Sequence, residues 1–349
     1  MAQAAEDGLV FQVQKLTSKI VDPEGTPVEK PVEIRFDPVT GRSCRVTFAR
    51  AAEKETGTTA LPEPPPAAIE LDACPFCRPQ LTRRTPSLAG DLSKSARLEQ
   101  GESVLFPNLF PYGRYSAVSL FDNRHFVEIG KASLPSYVDS FINCRRYLEK
   151  VHASDPAAVY MAITQNHLPS AGGSLVHPHL QVHADRQPPN NIRFLEHRAA
   201  AYHTRTGHGL FSDYLAHERE ENSRGIGQTG NWYWLAAFAP EGFFEIWGIL
   251  PNICSLFALD DSHWASLSKG VLNTQAFYRS LNRNGYNLGL LAVETNASKL
   301  ELRVRILARS NYAPWVRNDH TGYEVMLGDM ATFNAPEETA ALARPFWRA

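Results

Sequence analysis

An order of strand, loop, strand, helix, strand and strand occurs twice along this chain, and few architectures accommodate such a repeat. Residues 103–121 read as strand, Pro-bounded loop and strand, and 231–252 have the same make-up. Residues 133–153 open on Ser133-Leu134-Pro135 and carry apolar side chains at helical spacing, as do 260–285. Two strand-length apolar runs close each unit: AVYMAITQN and LVHPHLQVHA in the first, NLGLLAVETN and KLELRVRILAR in the second. Phe110 lies 69 residues before His179, and Phe238 lies 67 before Arg305. The pattern predicts an α+β chain of two halves, 1–190 and 191–349, each an antiparallel sheet with a packed helix. A polar, His- and Arg-rich connector over 186–230 is expected between them. A chance pattern in an unduplicated α+β chain is the competing reading.

Ahead of the first unit, Arg35 to Arg50 read as two short strands around the turn Asp37-Pro38-Val39-Thr40-Gly41. Residues 56–67 are a Pro-rich loop, and 78–102 are a polar surface segment. Lys and Arg total 35 against 37 Asp and Glu, a net charge of −2, so the basic excess of a nucleic-acid binder is missing. No run of 18 apolar residues predicts a membrane span, and the N-terminus has no signal-peptide pattern. A cytoplasmic protein is expected. Cys44, Cys144 and Cys254 fall in strand or helix patterns and are expected in the core.

The chemistry concentrates in His177-Pro178-His179-Leu180-Gln181-Val182-His183. On a strand, alternation puts His177, His179, Gln181 and His183 on one face and sends Leu180 and Val182 into a core. Neutral imidazoles ligate metals and act as nucleophiles or bases; a wet strand with solvated histidines is the bland alternative. Cys74 and Cys77 form a C-x-x-C, which serves as a metal knuckle, a redox pair or two core cysteines. Gly172-Gly173-Ser174 precede the histidine strand and offer either an anion nest with a hydroxyl donor or an ordinary turn. Arg50 is a phosphate-ligand candidate or a solvated side chain.

Taken together, these motifs resemble the galactose-1-phosphate uridylyltransferase branch of the histidine-triad (HIT) superfamily. The similarity starts at Arg35-Phe36-Asp37-Pro38-Val39-Thr40-Gly41. It continues through Cys74-Pro75-Phe76-Cys77 and Asn108-Leu109-Phe110-Pro111, peaks at Gly172-Gly173-Ser174 and His177-Pro178-His179-Leu180-Gln181, and ends at Gly322-Tyr323-Glu324. The resemblance implies two HIT-like halves, the first carrying the chemistry, and a homodimer. It implies a structural zinc on Cys74, Cys77, His125 and His177, with His125 lying 52 residues before His177. His179 would attack the α-phosphorus of a nucleotide or nucleotide-sugar and carry the nucleotidyl group. Gln181 and Ser174 would contact the phosphate, with Arg50, Asn108, Asn166, Gly172 and Gly173 lining the substrate site. His183 is extra to the pattern, either an active-site neighbour or a solvated strand residue.

Several positions depart from the family pattern. Arg303 and Arg305 stand on the second-half strand where histidines of a further metal site would be, and Glu196 stands alone, so no second metal site is expected. Asn318-Asp319-His320-Thr321 replace a segment with Lys and an aromatic, and Glu53 replaces a second Arg. The expected activity is nucleotidyl transfer from a nucleoside diphosphate compound to a phosphate or sugar-phosphate acceptor. A hydrolase using the same histidine and a non-catalytic, zinc-stabilised nucleotide-binding protein are the alternatives.

Overall fold

Ser133 accepts the N–H of Ser136 at 3.2 Å, and Asp260 accepts that of His263 at 3.0 Å. These N-caps start the two longest helices among the described residues where the repeat pattern expects them. The computed structural model describes residues 8–48, 63–309 and 320–348. The N-terminal strands are β1 (Gln12–Val21), β2 (Pro27–Phe36) and β3 (Ser43–Thr47), followed by the short helix α1 (Gln80–Arg84). The first unit contains β4 (Leu98–Gln100), β5 (Ser103–Pro107), β6 (Tyr115–Leu120), α2 (Leu134–Ser154), β7 (Tyr160–His167) and β8 (His179–Asp185). Helices α3 (Asn190–Thr206) and α4 (Leu210–Glu221) follow. The second unit contains β9 (Gly225–Thr229), β10 (Trp232–Ala236), β11 (Phe243–Leu250), α5 (Asp261–Ser280), β12 (Gly285–Val293) and β13 (Leu302–Arg309). Last come α6 (Gly322–Leu327), β14 (Met330–Thr332) and α7 (Pro336–Ala343).

Both units form sheets of the expected α+β kind, and the two are continuous. One ten-stranded antiparallel sheet runs β4-β5-β6-β8-β7-β12-β13-β11-β10-β9. The order reads the same outward from its centre, with β8 matched by β13 and β6 by β11. Strands β7 and β12 join the halves through eight register pairs, from Tyr160–Val293 to His167–Tyr286. Helices α2 and α5 cover one face, where Phe141, Leu148, Trp264 and Phe277 pack on Leu180, Val182, Leu290 and Val304. A second sheet, β1-β2-β3-β14, is antiparallel except for the parallel β3–β14 pair.

The segment 186–230, expected as a polar connector, is instead helical over α3 and α4. Ile192, Leu195, Ala199 and Tyr202 on α3 and Leu210, Phe211, Tyr214 and Leu215 on α4 are buried against the other sheet face. Each helix hides an apolar stripe under outward-facing Arg, His and Glu, which is why its composition reads as a linker. The turn after β2 docks here. Asp37 accepts from the N–H groups of Val39 and Thr40 at 3.1 and 3.2 Å and from the Thr40 hydroxyl at 2.6 Å. Val39 is fully buried, and its carbonyl accepts from Arg198 on α3 at 2.8 Å. The entry hairpin is thereby fastened to the second half. Cys44 and Cys144 are in the core as expected, while Cys254 is only half-buried.

Candidate active site and metal centre

The strand β8 is paired on both sides, Gln181 facing Val118 of β6 and Thr164 of β7. Its Leu180, Val182 and Ala184 enter the helix-covered core, so His179, Gln181 and His183 share the opposite face. His179 is buried, whereas Gln181 and His183 are half-exposed. His177 lies just before the strand and faces a different neighbourhood.

There the ligand atoms of Cys74, Cys77, His125 and His177 all lie within 4.8 Å of one another, and all four residues are buried. Cys77 Sγ is 3.2 Å from His125 Nδ1 and 3.6 Å from His177 Nδ1, and Cys74 Sγ is 3.9 Å from His177 Nδ1. A tetrahedral zinc with bonds of 2.0–2.3 Å separates its ligands by about 3.6 Å. The far nitrogens agree with this geometry. His125 Nε2 donates to the carbonyl of Ala67 at 2.7 Å, and His177 Nε2 donates to that of Asp122 at 3.2 Å. Both Nδ1 lone pairs are therefore turned inward, the outer-sphere arrangement typical of metal-bound histidine. Burial and the adjacent Cys74 push the Cys77 thiol up to about 11, and a bound cation would reverse that cost. All five cysteines are free of disulfides. The donor set fits a closed four-ligand metal.

The turn at 122–125 presents His125. Burial disfavours the Asp122 carboxylate, but bonds from Arg124, from Ser136 Oγ at 2.7 Å and from the Arg124 N–H at 2.9 Å hold its pKa below the usual range. With its side chain engaged, Asp122 offers its carbonyl to His177.

His179 Nδ1 donates to the carbonyl of His177 at 2.8 Å. A carbonyl only accepts, so the proton resides on Nδ1 and the Nε2 lone pair is free. Burial lowers the His179 pKa, with the His177 carbonyl acting in the opposite sense, and burial also lowers that of His183. Phe76, between the two cysteines, meets the rings of His177 and His179 edge-on at 6.0 and 5.4 Å. It links the cysteine knuckle to the histidine strand. Its role went unread in the sequence because a lone aromatic within C-P-F-C carries no periodic signal.

The remaining positions are arranged around this strand. Gly172 adopts φ +86°, and its N–H donates to the carbonyl of Pro169. A Cβ on Gly173 would meet the carbonyl oxygens of Asn166 and Leu168 at 2.9 and 3.0 Å, and its N–H donates to the latter. Both N–H groups are thus engaged within the turn, and the two glycines contribute its shape. Ser174 is exposed. Asn166 accepts from Asn287 Nδ2 at 2.6 Å across the β7–β12 seam. Asn108 accepts from the N–H of Phe110 at 3.1 Å and so shapes a loop whose Leu109, Phe110 and Tyr112 are exposed. Arg50 and Glu53 lie outside the described residues. In Gly322-Tyr323-Glu324, Glu324 closes a capping box with Thr321, accepting its N–H at 2.7 Å.

Solved structures of an ADP-glucose phosphorylase, a galt-like protein and uridylyltransferases share this fold. An ADP-glucose phosphorylase from Arabidopsis thaliana, solved with ADP-glucose bound, superposes with a TM-score of 0.68 at 19% identity, over 90% of this chain and 98% of that one. A uridylyltransferase mutant superposes at 0.66 with 18% identity, over 90% and 97%. In sequence, an uncharacterized protein of Archaeoglobus fulgidus is 27% identical over 327 residues, 93% of this chain and 94% of its own. No protein-family model matches the chain. Among the described residues no helix is long and apolar enough to cross a membrane.

Proposed function

We propose that the protein is a nucleotidyltransferase that moves an NMP unit from a nucleoside diphosphate compound, such as a nucleotide-sugar, to a phosphate or sugar-phosphate acceptor through His179. The observation that carries this reading is the hydrogen bond from His179 Nδ1 to the His177 carbonyl, which leaves a neutral Nε2 as the nucleophile. In the first displacement the Nε2 lone pair forms an N–P bond at the α-phosphorus. The bond from that phosphorus to the bridging oxygen breaks, and the remainder of the donor leaves with the electron pair. In the second, an acceptor phosphate oxygen attacks, the N–P bond breaks, and the neutral imidazole returns. Gln181 and the Ser174 hydroxyl would donate to the non-bridging oxygens as charge grows there. We assign Asn108, Asn166, His183 and Arg50 to the proposed substrate site, with the two glycines shaping the turn before the histidine strand.

Zinc is the metal we assign to Cys74, Cys77, His125 and His177, and when bound it supplies a rigid, closed tetrahedral anchor without an open coordination position. Those four residues hold the His177 backbone, and through it the proton of His179. A homodimer accords with the exposed apolar run Leu109, Phe110 and Tyr112 beside Asn108.

The test is intact-protein mass spectrometry after brief incubation with ADP-glucose, UDP-glucose, GDP-mannose or a dinucleoside polyphosphate, with analysis of the products. An NMP-sized adduct on the wild type and none on His179→Ala is the expected result. Neither adduct nor released NMP from any of these donors would overturn the reading. Released NMP without dependence on phosphate or sugar phosphate would instead identify a hydrolase.

A further inference from the structure

The face that carries His179 continues across the seam into the second half and ends in a cavity of about 350 Å³ beneath the entry turn and α3. The register connects the two places. One row across the sheet reads Gln181, Thr164, Gly289, Arg305, and the next reads His183, Ala162, Leu291, Arg303. Arg303 and Arg305 thus hold on β13 the rows that His183 and Gln181 hold on β8. Three inter-strand steps put them about 14 Å away. The cavity therefore reaches from Thr164 and Asn166 on β7, where it adjoins the proposed substrate site, to Arg303 on β13, three strands from the histidine.

Its charged lining is almost wholly engaged. Asp37 is bonded within its own turn. Glu241 and Glu245 accept from Arg305 at 2.9 and 3.2 Å. Glu301 accepts from the N–H groups of Phe211, Ser212 and Asn252 at 2.8, 2.9 and 2.6 Å. Arg303 differs. Its guanidinium lies 4.0 Å from the Trp247 ring centre and 4.9 Å from that of Phe211, and it makes no hydrogen bond or ion pair among the described residues. The two rings flank its guanidinium, which lines the cavity, and Asp37, Glu245 and Glu241 act on it through space without a hydrogen bond.

We propose that this cavity is a second binding site, for a compact oxyanion, a carboxylate or a phosphate, held by Arg303. A planar guanidinium held on aromatic faces is suited to paired hydrogen bonds with such a group. The lining sets four carboxylates against three guanidinium groups, so a singly charged ligand is favoured over a polyphosphate. Phe194, Leu195, Leu288 and Leu300 receive an apolar body. The volume falls in the range of small-molecule pockets. The Arg303 anchor does not rest on the nucleotidyl-transfer reading, although the cavity shares Asn166 with the proposed substrate site.

The test is calorimetric titration of the full chain at pH 7 and fixed ionic strength with hexanoate, benzoate and inorganic phosphate, against sodium chloride. Wild type and His179→Ala should bind at least one probe saturably, one per chain, with equal affinity. Arg303→Gln should weaken binding at least about tenfold, the effect of losing a charge-assisted pair. Gly289 lines the cavity, and a Cβ there meets nothing within 4 Å, so Gly289→Phe should fill the space and abolish binding even if Arg303→Gln folds poorly. No saturable binding by any probe overturns the proposal and leaves Arg303 as a cation stacked for stability alone. Binding lost in His179→Ala but kept in Gly289→Phe overturns it as well.

Discussion

The carbonyl oxygen of His177 accepts the Nδ1–H of His179 at 2.8 Å, while the ring of the same His177 sits with Cys74, Cys77 and His125. One residue thus couples the cysteine cluster to the proton position on its neighbour. Cluster and proposed nucleophile should therefore be separable by mutation in one direction only. His179→Ala should keep about one zinc per chain and lose the nucleotidyl adduct. Cys77→Ser should lose most of the metal and slow adduct formation at least about tenfold. Metal analysis by plasma mass spectrometry, run beside the adduct assay, checks both, and a fully active, metal-free Cys77→Ser would refute the coupling.

Phe76 should act through position alone. Removing its ring forfeits three edge contacts, with Phe106, His177 and His179, of about 0.5–1.5 kcal/mol each. Phe76→Ala should retain zinc, slow adduct formation several-fold and leave substrate affinity nearly unchanged. Phe76→Leu should recover part of the rate. Single-turnover kinetics at saturating donor separate the rate from the affinity.

The turn before the histidine strand should tolerate change unequally. Gly173→Ala forces a Cβ against two carbonyl oxygens, whereas Gly172→Ala has open space but an unfavourable φ of +86°. A loss of about 1–3 kcal/mol is expected for Gly173→Ala and about 1 kcal/mol for Gly172→Ala. Urea denaturation measures both, and equal stabilities would contradict the crowding seen at Gly173.

Acid sensitivity should reside partly in Glu337. Burial disfavours its charge, but Arg35 at 2.9 Å and Arg224 at 3.0 Å outweigh that and hold its pKa below 4.5. Its contribution is therefore full above the unfolded value of 4.5 and lost as the pH falls through the lowered one. Glu337→Gln should cost about 1 kcal/mol at pH 7, a modest figure because the carboxylate is partly exposed. The gap to wild type should close as the pH falls through that lowered value, as denaturant titrations from neutral to acid pH would show.

Much of this architecture is legible in the chain because its signals are local. Ser133 and Asp260 mark helix starts, and strict alternation in Leu180, Gln181, Val182 and His183 assigns faces to β8. By spacing Cys74 and Cys77 offer a knuckle among other readings, and His125 has no local mark and enters only through the family resemblance. The helices at 190–221 escaped because each shows a narrow apolar stripe among Arg, His and Glu. The β7–β12 junction was hidden for a different reason: pairing between strands over a hundred residues apart leaves no trace in either segment. Arg303 reads as a solvated strand cation until Trp247 and Phe211 are seen beneath it.

Joining the halves through β7 and β12 also decides where the large sheet stops. Its two margins are β4, of three residues, and β9, of five. Such stubs give an incoming chain little backbone on which to polymerise. The small sheet ends differently, on the ten-residue β1, and there Lys15 and Lys19 supply the charges that deter stacking of one molecule on the next. Fusion at the centre thus moves the hazard of fibre growth from a broad flank to a lysine-guarded ribbon.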